Sequence, residues 1–370
     1  MSALFTPLDL GGLTLKNRII VAPMCQYCAT DGRMNEWHQA HLSSLAISGA
    51  GLLIVEATAA SPEGRITPGC TGLYDNANEA AMGGVIAAVR KLSKTPIALQ
   101  IGHAGRKASS ETPFDGGAQI LSSDPRGWVA EAPSSLPHID GEEAPLALDE
   151  AGLARVCDRY VDSALRAARI GFDGIELHMA HGYLLHQFLS PLSNKRSDTY
   201  GGSIENRMRF PLEVLEAVRN AAPDLPVWVR LSAVDWVEGG LEVEDAVTIS
   251  RALEQAGAAA IHVSSAGVSP YQKIPVGPGY QVHLAEAVKQ AVGVPVIAVG
   301  LITEPRQAED IIASEQADAV ALARGMLWDP RWPWRAAVEL GAEVEGPQQY
   351  WRSAPHGVTP PFVGFTTGQR

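Results

Sequence analysis

Two histidines three residues apart, with a tyrosine close behind, stand in the run "HMAHGY" (178–183). Paired imidazoles can ligate a metal, act as acids, or donate N–H bonds to one carbonyl oxygen as negative charge develops on it. The plainer alternative is two loop histidines satisfied by their neighbours. A metal would need a third strong ligand. The nearby acid, Glu176, alternates with His178 along the run and so points the same way. Tyr183, beside the pair, can donate a proton. Arg230 ends a second apolar run, "PVWVRLSA" (226–233). Such an arginine needs an acceptor: a structural carboxylate, a bound anion or an electron-rich ring. A third signal is "CQYC" (25–28), a C-x-x-C that reads as half a zinc site, a redox pair, or neither. Thioredoxin-like pairs open a helix, whereas this one follows a strand-like run. A four-cysteine zinc site needs a second pair, and Cys70 and Cys157 are isolated.

These residues must be positioned by a scaffold, and the chain supplies a repetitive one. Eight apolar runs lack polar alternation, as strands buried on both faces of a parallel sheet do. They lie at 18–24, 51–59, 96–102, 174–180, 226–233, 259–267, 295–302 and 317–325. Helical patterns fall between them. The clearest, 149–172, carries a stripe of Leu153, Val156, Cys157, Tyr160, Val161, Ala164 and Ala168. Gly49, Gly171, Gly257 and Gly293 sit where left-handed helix stops precede strands. Eight such units predict an α/β fold, a single (β/α)8 TIM barrel spanning residues 1–370. The doubly wound alternative is disfavoured, since no G-x-G-x-x-G occurs. Three regions lie outside the repeat. Residues 1–17 contain a hairpin turning at Gly11-Gly12 that would plug the barrel bottom, 106–148 form a loop excursion after the third strand, and 341–370 form a C-terminal arm.

Composition narrows the class. The chain is 46% hydrophobic and 19% charged, with a net charge of -12. An acidic surface argues against nucleic acid or an anionic membrane as partner. No apolar run is long enough to span a bilayer, and the N-terminus lacks signal-peptide character. Four scattered cysteines do not form a secreted disulfide framework, so a cytoplasmic enzyme is expected. In such barrels the chemistry sits beyond the C-terminal strand ends. Those ends carry Pro23-Met24-Cys25, Ala57-Thr58, Gln100 and His103, His178 with His181 and Tyr183, Arg230, Ser264-Ser265, Gly300, and Ala323-Arg324. A glycine after strand seven and an arginine after strand eight suit a phosphate site.

The segment "SPLSNKRSDTYGGSIENR" (190–207), following "HMAHGYLLHQF", resembles the old yellow enzyme family of flavin mononucleotide (FMN) ene-reductases. The likeness runs from "LKNRIIVAPMCQY" through "ALARGMLWDPRWP" to "QQYWRSAP". Cys25 is similar to the cysteine of the thermophilic-like bacterial branch. The resemblance implies non-covalent FMN, with NAD(P)H as reductant and enones or similar activated alkenes as substrates. It implies that Ala22, Pro23, Met24 and Cys25 line the flavin and that Ala57 and Gln100 contact its ring system. Arg230 would stand by N1 and the C2 oxygen, and Gly300, Ala323 and Arg324 would hold the phosphate. His178 and His181 would bind the substrate oxygen, with His178 also approaching the flavin. Tyr183 would be the proton donor, Cys25 would tune the flavin, and Tyr27 would line the substrate pocket. Arg352 would reach a neighbouring subunit's pocket in a homodimer or homotetramer. Cys28 departs from the family pattern. Variants with an iron–sulfur cluster and a second flavin domain are disfavoured. Two rival readings stay open, a metal-dependent lyase or aldolase and a non-catalytic flavin carrier.

Overall fold

Aliphatic runs bounded by left-handed turns dictate the architecture. The structure is a computed structural model and describes residues 2–366. Met1 of the predicted N-terminal segment and residues 367–370 of the predicted arm therefore lie outside the described residues. The first elements are β1 (Leu8–Leu10) and β2 (Leu13–Leu15), an antiparallel hairpin with Leu8 opposite Leu15. Gly11 and Gly12 between them have φ of 63° and 96°. A two-residue type I′ turn demands positive φ at both centres, which glycine adopts without penalty. Leu10 and Leu15 are fully buried in one cluster with Ile20, Leu52, Ala98, Trp228 and Ala260.

The barrel strands follow in chain order: β3 (Ile19–Val21), β4 (Leu52–Ala59) and β5 (Ile97–Gly102). A short parallel pair, β6 (Glu131–Ala132) and β7 (Leu146–Ala147), belongs to the excursion. Then come β8 (Gly174–Met179), β9 (Val227–Ser232), β10 (Ile261–Ser264), β11 (Val296–Val299) and β12 (Ala319–Leu322). The barrel strands pair in parallel in that order and β12 closes onto β3. Helices α1 (Glu36–Ala46), α2 (Asn76–Arg90), α3 (Glu150–Ile170), α4 (Leu184–Leu189) and α5 (Ile204–Ala221) accompany the first half. The second half carries α6 (Val243–Gln255), α7 (Val282–Lys289), α8 (Pro305–Ala313), α9 (Arg324–Trp328) and α10 (Trp332–Leu340).

All eight predicted strands exist, but several end earlier at the top. The run 259–267 stops at Ser264 and 295–302 at Val299, because Ala266 (φ 71°), Gly300 (129°) and Leu301 (50°) leave the ladder. Helix α3 lies inside the predicted 149–172, its N-terminus capped by the Asp149 carboxylate, which accepts the Gly152 N–H at 2.7 Å. Its buried stripe takes Ser163 and Ala167, while Ala168 is exposed, as a strict 3.6-residue repeat from Leu153 requires. Of the four expected glycine stops, Gly49, Gly171 and Gly257 have positive φ and Gly293 does not. The excursion is pinned over the mouth: Arg106 donates to the carbonyls of Pro137 and Val268 at 3.2 and 2.6 Å. After α10, Val344 and Phe362 bridge and pack with Trp334 and Ala337.

Candidate functional site

The site begins with a polar layer inside an otherwise aliphatic barrel. Glu176 lies two residues before His178 on β8, so both project to the interior. The Glu176 carboxylate accepts from Gln100 Nε2 on β5 at 2.7 Å, Trp228 Nε1 on β9 at 2.9 Å and His262 Nδ1 on β10 at 2.7 Å. Burial works against its charge, but His262, Arg230 and Trp228 outweigh burial and hold the carboxyl below its ordinary value. Arg230 stands beside His178 and His262 in the ladder, and its Nε is buried with no protein partner. Glu176 is thus fully engaged and leaves the histidine pair without a third ligand. Among the described residues, no three His, Cys, Asp or Glu side chains are grouped to hold a metal ion.

Above this layer the two imidazoles are fixed as Nε2–H tautomers. His178 Nδ1 accepts the Ala180 N–H at 3.2 Å, so its proton sits on Nε2, 3.3 Å from His181 Nδ1. His181 then carries its own proton on Nε2, 2.8 Å from Ser264 Oγ. Burial and the Arg230 charge push both rings well below the ordinary value, so both are neutral. The turn that presents them is strained and tightly held. His181 has φ 57°, and its N–H donates to Ser232 Oγ at 2.9 Å. A Cβ on Gly182 would meet the Gly267 carbonyl oxygen at 2.0 Å. The Gly182 N–H donates to His186 Nδ1 at 2.8 Å, and His186 Nε2 lies 3.0 Å from Asp235 Oδ1, with both side chains wholly buried. Left-handed backbone at a non-glycine persists when its surroundings over-determine it in this way.

Tyr183 ends the turn. Its ring is edge-on to His178, centroids 4.9 Å apart, and Lys107 Nζ stands 5.1 Å from its centroid. Lys107 also donates to the carbonyls of His181 and Gly267 at 3.0 and 3.1 Å, and burial and Arg106 lower its pKa to about 8. Burial raises the Tyr183 phenol well above its ordinary value, so it keeps its proton. Ala22, Pro23, Met24 and Cys25 leave β3 as an irregular segment, anchored where the Ala22 N–H donates to the Leu322 carbonyl at 3.0 Å. Ala57 is the one position of β4 that is not fully buried, at a register shift between Val55 and Thr58. A bulge re-aims a side chain in this way at functional rims. Burial, then the charges of Glu56 and Cys70, keep Cys25 a thiol. Tyr27 has φ 55° and packs edge-on to Phe114 at 6.0 Å.

Arg230, His181, Ser264, Gly300, Ala323 and Arg324 line one cavity of about 220 Å³. Its far end suits a phosphate. Gly300 has φ 129°, and a Cβ there would lie 2.9 Å from Gln281 Nε2, while the Arg324 guanidinium is exposed. The residues therefore fit a flavin with a phosphate tail: an orphaned buried guanidinium nitrogen, a glycine cradle and a terminal cation. Arg352 is not part of this mouth. It is exposed, next to Trp351, which lines a groove with Lys16, Gly49 and Thr95 at the start of the strands. The supporting layer of Trp228, His262, His186, Asp235 and Lys107 escaped the sequence reading. Polar residues lodged in apolar runs, such as His262 in "AAIHVSS", were the available signal.

Residues 3–343 match the model of the NADH:flavin oxidoreductase / NADH oxidase family. The chain is 42% identical over 353 residues to an NADPH dehydrogenase of Geobacillus thermodenitrificans, covering 95% of this chain and 98% of that one. An NADPH dehydrogenase of Bacillus pumilus is 42% identical over 352 residues, with 95% and 98% coverage. Among solved structures, morphinone reductase in complex with tetrahydroNAD aligns with a TM-score of 0.75 and 32% identity over 97% of each chain. A 2-naphthoyl-CoA reductase complex aligns with a TM-score of 0.81 and 25% identity over 92% of this chain, which spans about half (52%) of that longer chain. No helix among the described residues is long and apolar enough to cross a membrane.

Proposed function

Because the chain belongs to the NADH:flavin oxidoreductase / NADH oxidase family, and so to the old yellow enzyme type of NAD(P)H:FMN oxidoreductases and ene-reductases, we propose that this barrel mouth reduces the C=C bond of α,β-unsaturated carbonyl compounds. Ala22, Pro23, Met24, Cys25, Ala57 and Gln100 would border the FMN ring, and Gly300, Ala323 and Arg324 its phosphate. Bound there, FMN supplies hydride chemistry, drawing on NAD(P)H and serving the β-carbon of the alkene.

The chain's own residues do the rest. His178 and His181 would turn to a substrate oxygen the two Nε2–H bonds that otherwise run from His178 to His181 Nδ1 and from His181 to Ser264 Oγ, and their neutrality keeps the dipoles without a competing charge. Tyr183 protonates the α-carbon, a role suited to a phenol whose pKa burial has raised. Arg230, with the Glu176 charge nearby, would answer negative charge on the ring system's polar edge. Cys25 meets that ring as an uncharged thiol, and Tyr27 walls the substrate. Arg352 of the partner subunit would complete the pocket in a homodimer or homotetramer. A cytoplasmic location suits an enzyme drawing on cellular NAD(P)H.

The observation that carries this reading is the pair of buried, neutral imidazoles packed beside Tyr183, with His181 lining the cavity that Arg230, Gly300 and Arg324 also line. The test is the visible spectrum of purified protein reconstituted with FMN, followed by NAD(P)H oxidation with and without cyclohexenone. Yellow protein with enone-stimulated oxidation is expected, and a phenol ligand should give a long-wavelength band that His178→Ala abolishes. Colourless protein with no enone-dependent oxidation would end the proposal.

A further inference from the structure

The C-x-x-C wraps around a buried acid that the proposed reaction does not use. Glu56 precedes Ala57 at the β4 bulge and is 5% exposed. Its Oε2 accepts the Gln26 N–H, the first amide after Cys25, at 3.0 Å. Its Oε1 lies 3.5 Å from His38 Nε2 on α1, and that same nitrogen lies 3.7 Å from Cys28 Sγ. Cysteine, imidazole and carboxylate in line invite comparison with a nucleophilic triad. The electrostatics reject it. Burial and Glu56 push the Cys28 thiol up to about 11, and burial and His41 pull His38 down to about 4. Neither is poised to exchange a proton at neutral pH. What remains is a buried carboxyl that holds the peptide directly after Cys25 through the Gln26 amide.

We infer that Glu56 is a positioning residue for Cys25: it anchors the backbone carrying the thiol, and its charge state governs how readily that thiol ionises. The groups facing it are Cys25, Tyr27 and Cys28 from the segment after β3, His38 from α1, with His41 acting on His38, and Cys70 from the segment after β4. No cation lies among them, so only burial and the Gln26 amide set the carboxyl. Burial wins and raises it to about 8. Below that pH Glu56 is a neutral acid. Above it, Glu56 becomes an anion beside the thiol and opposes the thiolate.

The inference concerns the mouth described above and rests on the enone reading only for the importance of Cys25. The test needs no flavin chemistry. Purified protein is treated with methyl methanethiosulfonate across pH 6 to 10, and the Cys25 and Cys157 peptides are followed by mass spectrometry. Cys157, on α3, serves as the internal standard. A lone thiol gains reactivity about tenfold per pH unit below its pKa. Wild-type Cys25 should rise that steeply only below about pH 8, then more shallowly. Glu56→Gln keeps an acceptor for Gln26 but loses the charge. Its profile should be straight, and about threefold or more faster at pH 9, the change that half a pKa unit gives. A Glu56→Gln profile that superimposes on wild type would overturn the inference. If that variant does not fold, an unbroken slope through pH 8 in wild type does the same. Colourless protein would end the enone reading and leave this one standing.

Discussion

Glu176→Gln is the most exacting test of how the mouth is held. The substitution preserves shape and removes one charge. The wild-type carboxylate satisfies three donors, from Gln100, Trp228 and His262, and faces Arg230. A glutamine has one acceptor oxygen and an NH2 group. If that oxygen takes over from Oε2, it serves Trp228 and His262, and its NH2 then opposes Gln100. Gln100 can answer by turning its own amide, so the hydrogen bonds survive. The charge of Arg230 does not find a new counter-ion, since its Nε is already without a partner. The carboxylate acts on Arg230 through space rather than in a direct ion pair, so the expected loss is that of a hydrogen bond to a charged group, about 1.5–3 kcal/mol. Urea denaturation should show a lower midpoint at unchanged slope. The pH dependence carries a second signature. Glu176 is held below its ordinary value, so its stabilisation is present above the unfolded carboxyl pKa and fades as pH falls through the lower folded one. Wild type and variant should therefore converge below roughly pH 4. FMN affinity should weaken at neutral pH, because Gln100 turns its amide over and Arg230 loses the negative charge nearby. A loss below about 1 kcal/mol, or a difference that persists in acid, would refute the idea that Glu176 is the counter-ion of Arg230.

Tyr183→Phe should slow enone reduction by about 10²–10⁴-fold while flavin reduction by NAD(P)H stays fast, and stopped-flow traces slowed equally in both half-reactions would count against the phenol as acid. Asp235→Asn removes the anionic partner of His186, which holds the Gly182 amide. Stability should fall by about 1.5–3 kcal/mol, and enone turnover should drop with it; an unchanged urea midpoint would refute the support role. Glu56, raised to about 8 by burial, binds its proton more tightly folded than unfolded, so wild-type stability should decline as pH rises from the ordinary carboxyl range to about 8. Glu56→Gln should abolish that decline and be the more stable protein at pH 9 in urea melts, and parallel profiles would show that the carboxyl is not neutral.

What the sequence makes legible here is what depends on neighbours along the chain. The hairpin was readable because Gly11-Gly12 between two leucine-rich runs allows few other backbones. The eight strands were readable because each is apolar on both faces, and α3 because its spacing and its Asp149 and Gly171 ends agree. The upper strand ends were misjudged where Ala266 and Leu301 adopt positive φ, a conformation their side chains do not advertise. The histidine pair and Tyr183 share one short turn, so their convergence was local information. Their support was not. Asp235 reaches His186 from 49 residues away and His262 reaches Glu176 from 86. Such pairs follow from barrel closure, which brings β5, β8, β9 and β10 side by side at a common height. Once closure is granted, the ladder itself makes the pairing a matter of counting: Gln100 lies beside Glu176, Glu176 beside Trp228, and Arg230 beside both His178 and His262. An interior ring of polar residues at one height must then neutralise itself. The chemistry above it inherits its geometry from that balance of one carboxylate against one guanidinium.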